Sequence, residues 1–183
     1  SGKVWVNSPY AIAQTVAFLG MAALTIVAAV MGRAIQQDFE HRVEPFFFTA
    51  PIERSDYLGG RFLGAVAVLV VILSSIPLGG IAGLLVPGID TDRVGPMRLA
   101  AYVAPYATML VPNVVVLGGL FFCIAAMTRR MLPVYIASVV LLIGYLAARG
   151  LLRDIDNKTL ASMLDPFGVT ANSTLTEYWS ISE

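Results

Sequence analysis

Four runs without a charged residue set the pattern of the chain: 10–32, 62–86, 99–127 and 131–148, of 23, 25, 29 and 18 residues. At a rise of ~1.5 Å per residue the first makes ~35 Å of helix, enough to cross a ~30 Å hydrocarbon core with some tilt. The fourth sits near the minimum for a span. The pattern predicts four transmembrane helices. Ser8 suits an N-cap and Pro9 a first helical position. Pro105 and Pro112 lie inside the third run and predict a kink or partial break. Gly60/Gly64 and Gly79/Gly83 are small-xxx-small pairs, the spacing that lets helices approach closely in lipid.

The connections differ in kind. Residues 87–98 form a short loop rich in turn formers, and Thr128-Arg129-Arg130 is a tight one. The 33–61 connection is long and has internal order. Ile35, Phe39, Val43 and Phe46 recur at three- and four-residue spacing, which predicts an amphipathic helix over 34–44. Pro45 interrupts it, Phe46–Phe48 continues the apolar face, and Pro51 marks a turn. Ser55 is the expected N-cap of the next helix, with Asp56 in its first turn. The 149–183 tail is polar, weakly periodic over 151–164, with a turn at Asp165–Gly168 and Tyr178-Trp179 suited to a membrane interface. No internal repeat is evident.

Composition agrees. Hydrophobic residues are 57% and charged residues 13%, against ~45–50% and ~25% in soluble domains. Net charge is zero, so there is no basic field to attract nucleic acid. With one His and one Cys, Cys123, neither a His/Cys metal site nor an internal disulfide is expected, and no cofactor. His41 and Glu44 stand about one helical turn apart, which reads as a solvated or partner-facing charged face. The zinc-protease, nucleophile-elbow and Walker signatures are absent from the sequence. No charge lies inside a span, which argues against an ion-coupled mechanism in these helices. Gln14, Ser74, Ser75 and Asn113 are polar groups within spans, expected to hydrogen-bond between helices or to the backbone, with substrate lining as the rival role. Asn157 and Asn172 begin glycosylation-type tripeptides, a pattern short enough to arise by chance.

Four spans place 33–61 and 128–130 on one face. That face carries Arg33, Arg42, Arg54, Arg61, Arg129 and Arg130, against Lys3, Arg93, Arg98, Arg149, Arg153 and Lys158 on the other. The positive-inside count is a tie, and only the paired arginines of the tight loop favour their own face as cytoplasmic.

The segment from Gly32 to Ala65 resembles the connection between the second and third spans of type-2 ABC transporter permeases. The matching features are a mixed-charge helix at Asp38–Glu44, an apolar stretch at Phe46–Phe48, Pro51-Ile52-Glu53-Arg54, and Leu58-Gly59-Gly60-Arg61 entering the next span. His41-Arg42 departs from the Gly-Thr of many members. Asn7–Ala13, Leu164–Gly168 and Tyr178-Trp179 are similar to a subgroup of large bacterial permeases, some fused to a zinc-aminopeptidase-like domain.

The resemblance implies an all-α polytopic bundle, four spans plus a coupling helix, forming one transmembrane domain of the inner membrane. These would be spans two to five of six, the chain being a fragment that starts at Ser1 rather than Met. The 33–61 connection would be cytoplasmic and the tail periplasmic. The expected function is a permease subunit driven by a separate ABC ATPase, with the remaining spans or a second permease copy completing the path. Asp38, Glu40, Arg42, Glu44 and Arg54 would face the ATPase, and the chain itself would not be an enzyme. The alternatives are the membrane anchor of a fused zinc peptidase and an ATP-independent secondary transporter.

Overall fold

The computed structural model describes residues 5–41, 53–86 and 94–152, with 149, 151 and 152 by backbone alone. Every regular element among the described residues is helical. In chain order they are α1 (Pro9–Ala22), α2 (Leu24–Glu40), α3 (Arg54–Leu73), α4 (Ser75–Gly83), α5 (Leu99–Pro105), a π-helical turn (Tyr106–Leu110), α6 (Val111–Thr128) and α7 (Met131–Leu152). Arg54–Gly83, Leu99–Thr128 and Met131–Ala148 are long and apolar enough to cross a membrane. Counting α1 and α2 as one span broken at Ala23 makes a fourth. Large apolar side chains point outward along them, Val71, Val116 and Met127 being 72%, 70% and 85% exposed. Such a surface is stable in hydrocarbon and costly in water.

Local chemistry accounts for most helix ends. At α1 the Ser8 hydroxyl accepts the Ala11 N–H at 3.2 Å, with Pro9 as the first helical residue. At α3 the cap lies two residues earlier than Ser55. The Glu53 carbonyl accepts the N–H groups of Asp56 and Tyr57, both at 3.1 Å, and the Ser55 hydroxyl donates to the Glu53 carboxylate at 3.2 Å. Nothing in Arg54-Ser55 stops the helix from growing back to that carbonyl.

The amphipathic stretch after Gly32 is not a separate element. Arg-Ala-Ile-Gln-Gln contains no breaker, so α2 runs from the apolar run through Arg33 to Glu40 without interruption. His41 ends it, and the remainder of the expected helix, 42–44, lies outside the described residues. The break between α3 and α4 at Ser74 follows from Pro77, which cannot donate to the Leu73 carbonyl and crowds it. The expected disturbance around Pro105 and Pro112 is a π turn, in which the Val111 N–H reaches back to the Tyr106 carbonyl.

The chain divides into two compact units. In the first, α1 packs on α5, the π turn and α4, burying Ile12, Ala13, Val16 and Ala17 together with Tyr102, Pro105 and Leu110. The Asn7 side chain clamps Gly95, donating to its carbonyl and accepting its N–H, both at 2.7 Å. A Cβ at position 95 would fall 2.6 Å from the Trp5 ring, so only glycine fits there. In the second unit α2 packs on α3. Its core holds Phe121, Met31, Ile35, Leu69 and Val134, each under 2% exposed. Phe62 meets Phe122 edge-to-face at 5.4 Å. Two glycines of this unit face methionine side chains. A Cβ on Gly118 would lie 2.6 Å from the Met31 side chain, and one on Gly32 2.7 Å from the Met131 sulfur.

Candidate functional site

The buried seam of the second unit ends in charge. On α2 the buried row runs Leu24, Ala28, Met31, Ile35, Asp38. On α3 it runs Ala65, Leu69, Leu73, and one and two turns earlier the same four-residue row places Arg61 and Tyr57. The two rows meet at Asp38. Its side chain is 3% exposed and forms an ion pair with Arg61. The Tyr57 hydroxyl donates to its other oxygen at 2.5 Å, and the Arg61 guanidinium lies 6.0 Å from the Tyr57 ring. A carboxylate taken out of water persists only when paired and hydrogen-bonded. Here both oxygens are occupied by groups on the neighbouring helix. The cluster therefore fixes the end of α2 against the start of α3, the two helices that flank the 41–53 connection.

A second charged feature lies on the outer side of α2. Arg33 and Glu40 pair at 3.3 Å, with side chains 56% and 49% exposed. At the end of α6, Arg129 adopts a left-handed backbone, φ 54°, which closes the tight loop before α7. Its guanidinium stands 4.7 Å from the Phe39 ring centre. Phe39, Arg129, Arg54, Tyr57, Leu58 and Ala126 border a cavity of about 340 Å³. A larger groove of about 660 Å³ lies between α2, α3 and the start of α7.

The residues expected to face an ATPase have different surroundings. Asp38 is turned inward and engaged by Arg61 and Tyr57 of its own chain. An acid on the buried row of α2 is held there by Arg61. Glu40 is exposed and paired with Arg33. Arg54 is exposed at the first residue of α3 and borders the smaller cavity. Arg42 and Glu44 lie outside the described residues. None of Gly60, Gly64, Gly79 and Gly83 would bring a Cβ within 4 Å of a described atom. Methionine side chains come close at Gly32 and Gly118. The Gln14 side-chain amide donates to the Tyr10 hydroxyl at 3.4 Å within α1. Among the described residues no group of three or more His, Cys, Asp or Glu could hold a metal ion.

Sequence reasoning missed Tyr57, Arg61 and the stacked Arg129. A signal for the first two existed. Asp38 falls on the 24–28–31–35 apolar row, and a carboxylate on a buried row demands a cation from a neighbouring helix. Arg61, one turn before Ala65, is such a cation. No family model, curated protein or solved structure matches this chain.

Proposed function

We propose that the chain is the membrane permease subunit of an ABC transporter, working with ATP hydrolysed by a separate ATPase subunit. The observation that carries this reading is the braced pair of helices on either side of the 41–53 connection. Force applied to that connection by a partner would not be lost in loose helix ends. Asp38, Tyr57 and Arg61 would pass it into α2 and α3, which run on as apolar helices. The resemblance of the 32–65 segment to the coupling region of type-2 permeases points the same way. Arg54 and Arg129 leave a positively charged, partly aromatic surface beside the connection, suited to an acidic patch on the partner. Glu40, Arg42 and Glu44 would contribute the rest of the contact, while Asp38 acts from behind as a brace.

The test is co-purification with a co-expressed cognate ABC ATPase. Glu44→Arg and Arg54→Glu should each lower retention of the ATPase and abolish its stimulation by the permease. Unchanged retention together with unchanged stimulation would overturn the docking role.

A further inference from the structure

The larger groove carries an inference that needs no ATPase. Its walls are α2, α3 and the first turns of α7, and its chemistry changes along its length. Arg33 and Gln37 on α2, Arg61 on α3 and Tyr135 on α7 border it where the charged ends of α2 and α3 lie. Ala29 and Val30 on α2, and Gly64, Ala65 and Val68 on α3, border the part toward the apolar centre of the helices. From Arg61 to Val68 the wall extends about 10 Å along α3. Small residues hollow it out, and at Gly60 and Gly64 a Cβ would meet no described atom within 4 Å. The lining holds two guanidiniums and no carboxylate. Asp38 grips Arg61 from the buried side, and Glu40 holds Arg33 only through an exposed pair, which an anion can displace at little cost.

A rim of guanidinium, amide and hydroxyl donors above an apolar trough matches an anionic amphiphile. We propose that this groove binds a phospholipid of the surrounding leaflet. Its phosphate would sit at Arg33 and Arg61, Gln37 and Tyr135 would donate to its oxygens, and the upper part of an acyl chain would lie over Gly64 and Val68. Arginine suits the phosphate because its planar fork offers several N–H donors at once. The glycines then serve to make room for the chain rather than for another helix.

The chain is purified in detergent, stripped of lipid and titrated with phosphatidylglycerol or phosphatidylcholine, and bound lipids are counted by native mass spectrometry. One phosphatidylglycerol should be retained in preference to phosphatidylcholine. Arg33→Gln should reduce that preference about fivefold, the effect of one arginine near an anionic headgroup. Gly64→Leu should remove the bound lipid whatever its headgroup, and Val68→Trp should do the same by a second route. Gly144→Leu on α7, where a Cβ also meets no described atom, should not. Retention of both lipids alike, insensitive to Arg33→Gln, overturns the proposal. So does a lipid count unchanged by both Gly64→Leu and Val68→Trp. A dimer that dissociates on Gly64→Leu with no loss of lipid would place a second copy of the chain in the groove instead.

Discussion

Helix α2 carries two arginine–carboxylate pairs within its last turns, and they differ in nearly everything but composition. Arg33–Glu40 lies open to the surroundings at 3.3 Å, both partners on one helix. Asp38–Arg61 joins two helices, with the carboxylate 3% exposed and a tyrosine hydroxyl on its second oxygen. Salt and solvent screen the first, and its two long side chains are ordered for little return. The second is screened far less, and loss of Arg61 strands a carboxylate that is 3% exposed. Burial, not the identity of the ions, decides which pair the fold depends on.

Truncating Asp38 is the strongest attack on this contrast. Asp38→Ala should destabilise the chain by about 3 kcal/mol, the low end for a broken buried pair because Arg61 is partly exposed. Unfolding in detergent, by heat or by titration with a denaturing surfactant, reads the change. A loss no larger than that of Glu40→Ala would collapse the distinction. Tyr57→Phe keeps the ring and removes one hydrogen bond to the carboxylate. It should cost about 1.5–2 kcal/mol in the same assay, and a negligible effect would show that Arg61 alone satisfies Asp38.

The double change Asp38→Leu with Arg61→Met sharpens the point further. It removes both charges together, so stability should fall by less than in Asp38→Ala. If the cluster acts as a brace for a moving connection, ATPase stimulation should fall even though the fold survives. Retained stimulation would show that the pair is dispensable for coupling. Last and smallest, Glu40→Gln should shift stability by no more than about 0.5 kcal/mol, and 1 M salt should erase the difference.

Three spans, or four if α1 and α2 count as one, are legible because the bilayer imposes a length, and an uncharged run of that length has few other readings. Their ends were less legible. Counting uncharged residues stops at Gly32 and starts again at Phe62, whereas the helices run on to Glu40 and begin at Arg54. A charge at the membrane edge does not end a helix; only a breaker or a cap does. Only the first part of the amphipathic row, Ile35 and Phe39, falls within the described residues. Val43 and Phe46 lie outside the described residues, and the buried row that includes Ile35 continues through Asp38. That assignment depends on Arg61, 23 residues away, and local periodicity carries no information about so distant a partner. The glycine pairs illustrate the same limit. Spacing marks where a helix can be approached closely, and the neighbours decide which of those sites are used. Gly32 and Gly118 are used; among the described residues, nothing approaches Gly60 and Gly64.

The π turn at Tyr106–Leu110 has a consequence for any one-dimensional reading of the third span. From Tyr102 to Leu117 the buried positions are Tyr102, Pro105, Leu110, Val114 and Leu117. The steps are three, five, four and three, and a step of five does not belong to an uninterrupted α-helix. The wide turn holds one surplus residue, equivalent to an insertion that rotates everything after it by about 100° relative to everything before. A single helical wheel drawn through Leu99–Thr128 would therefore assign the wrong face to one half of it. Two wheels, one ending at Pro105 and one starting at Val111, place the sequence in phase.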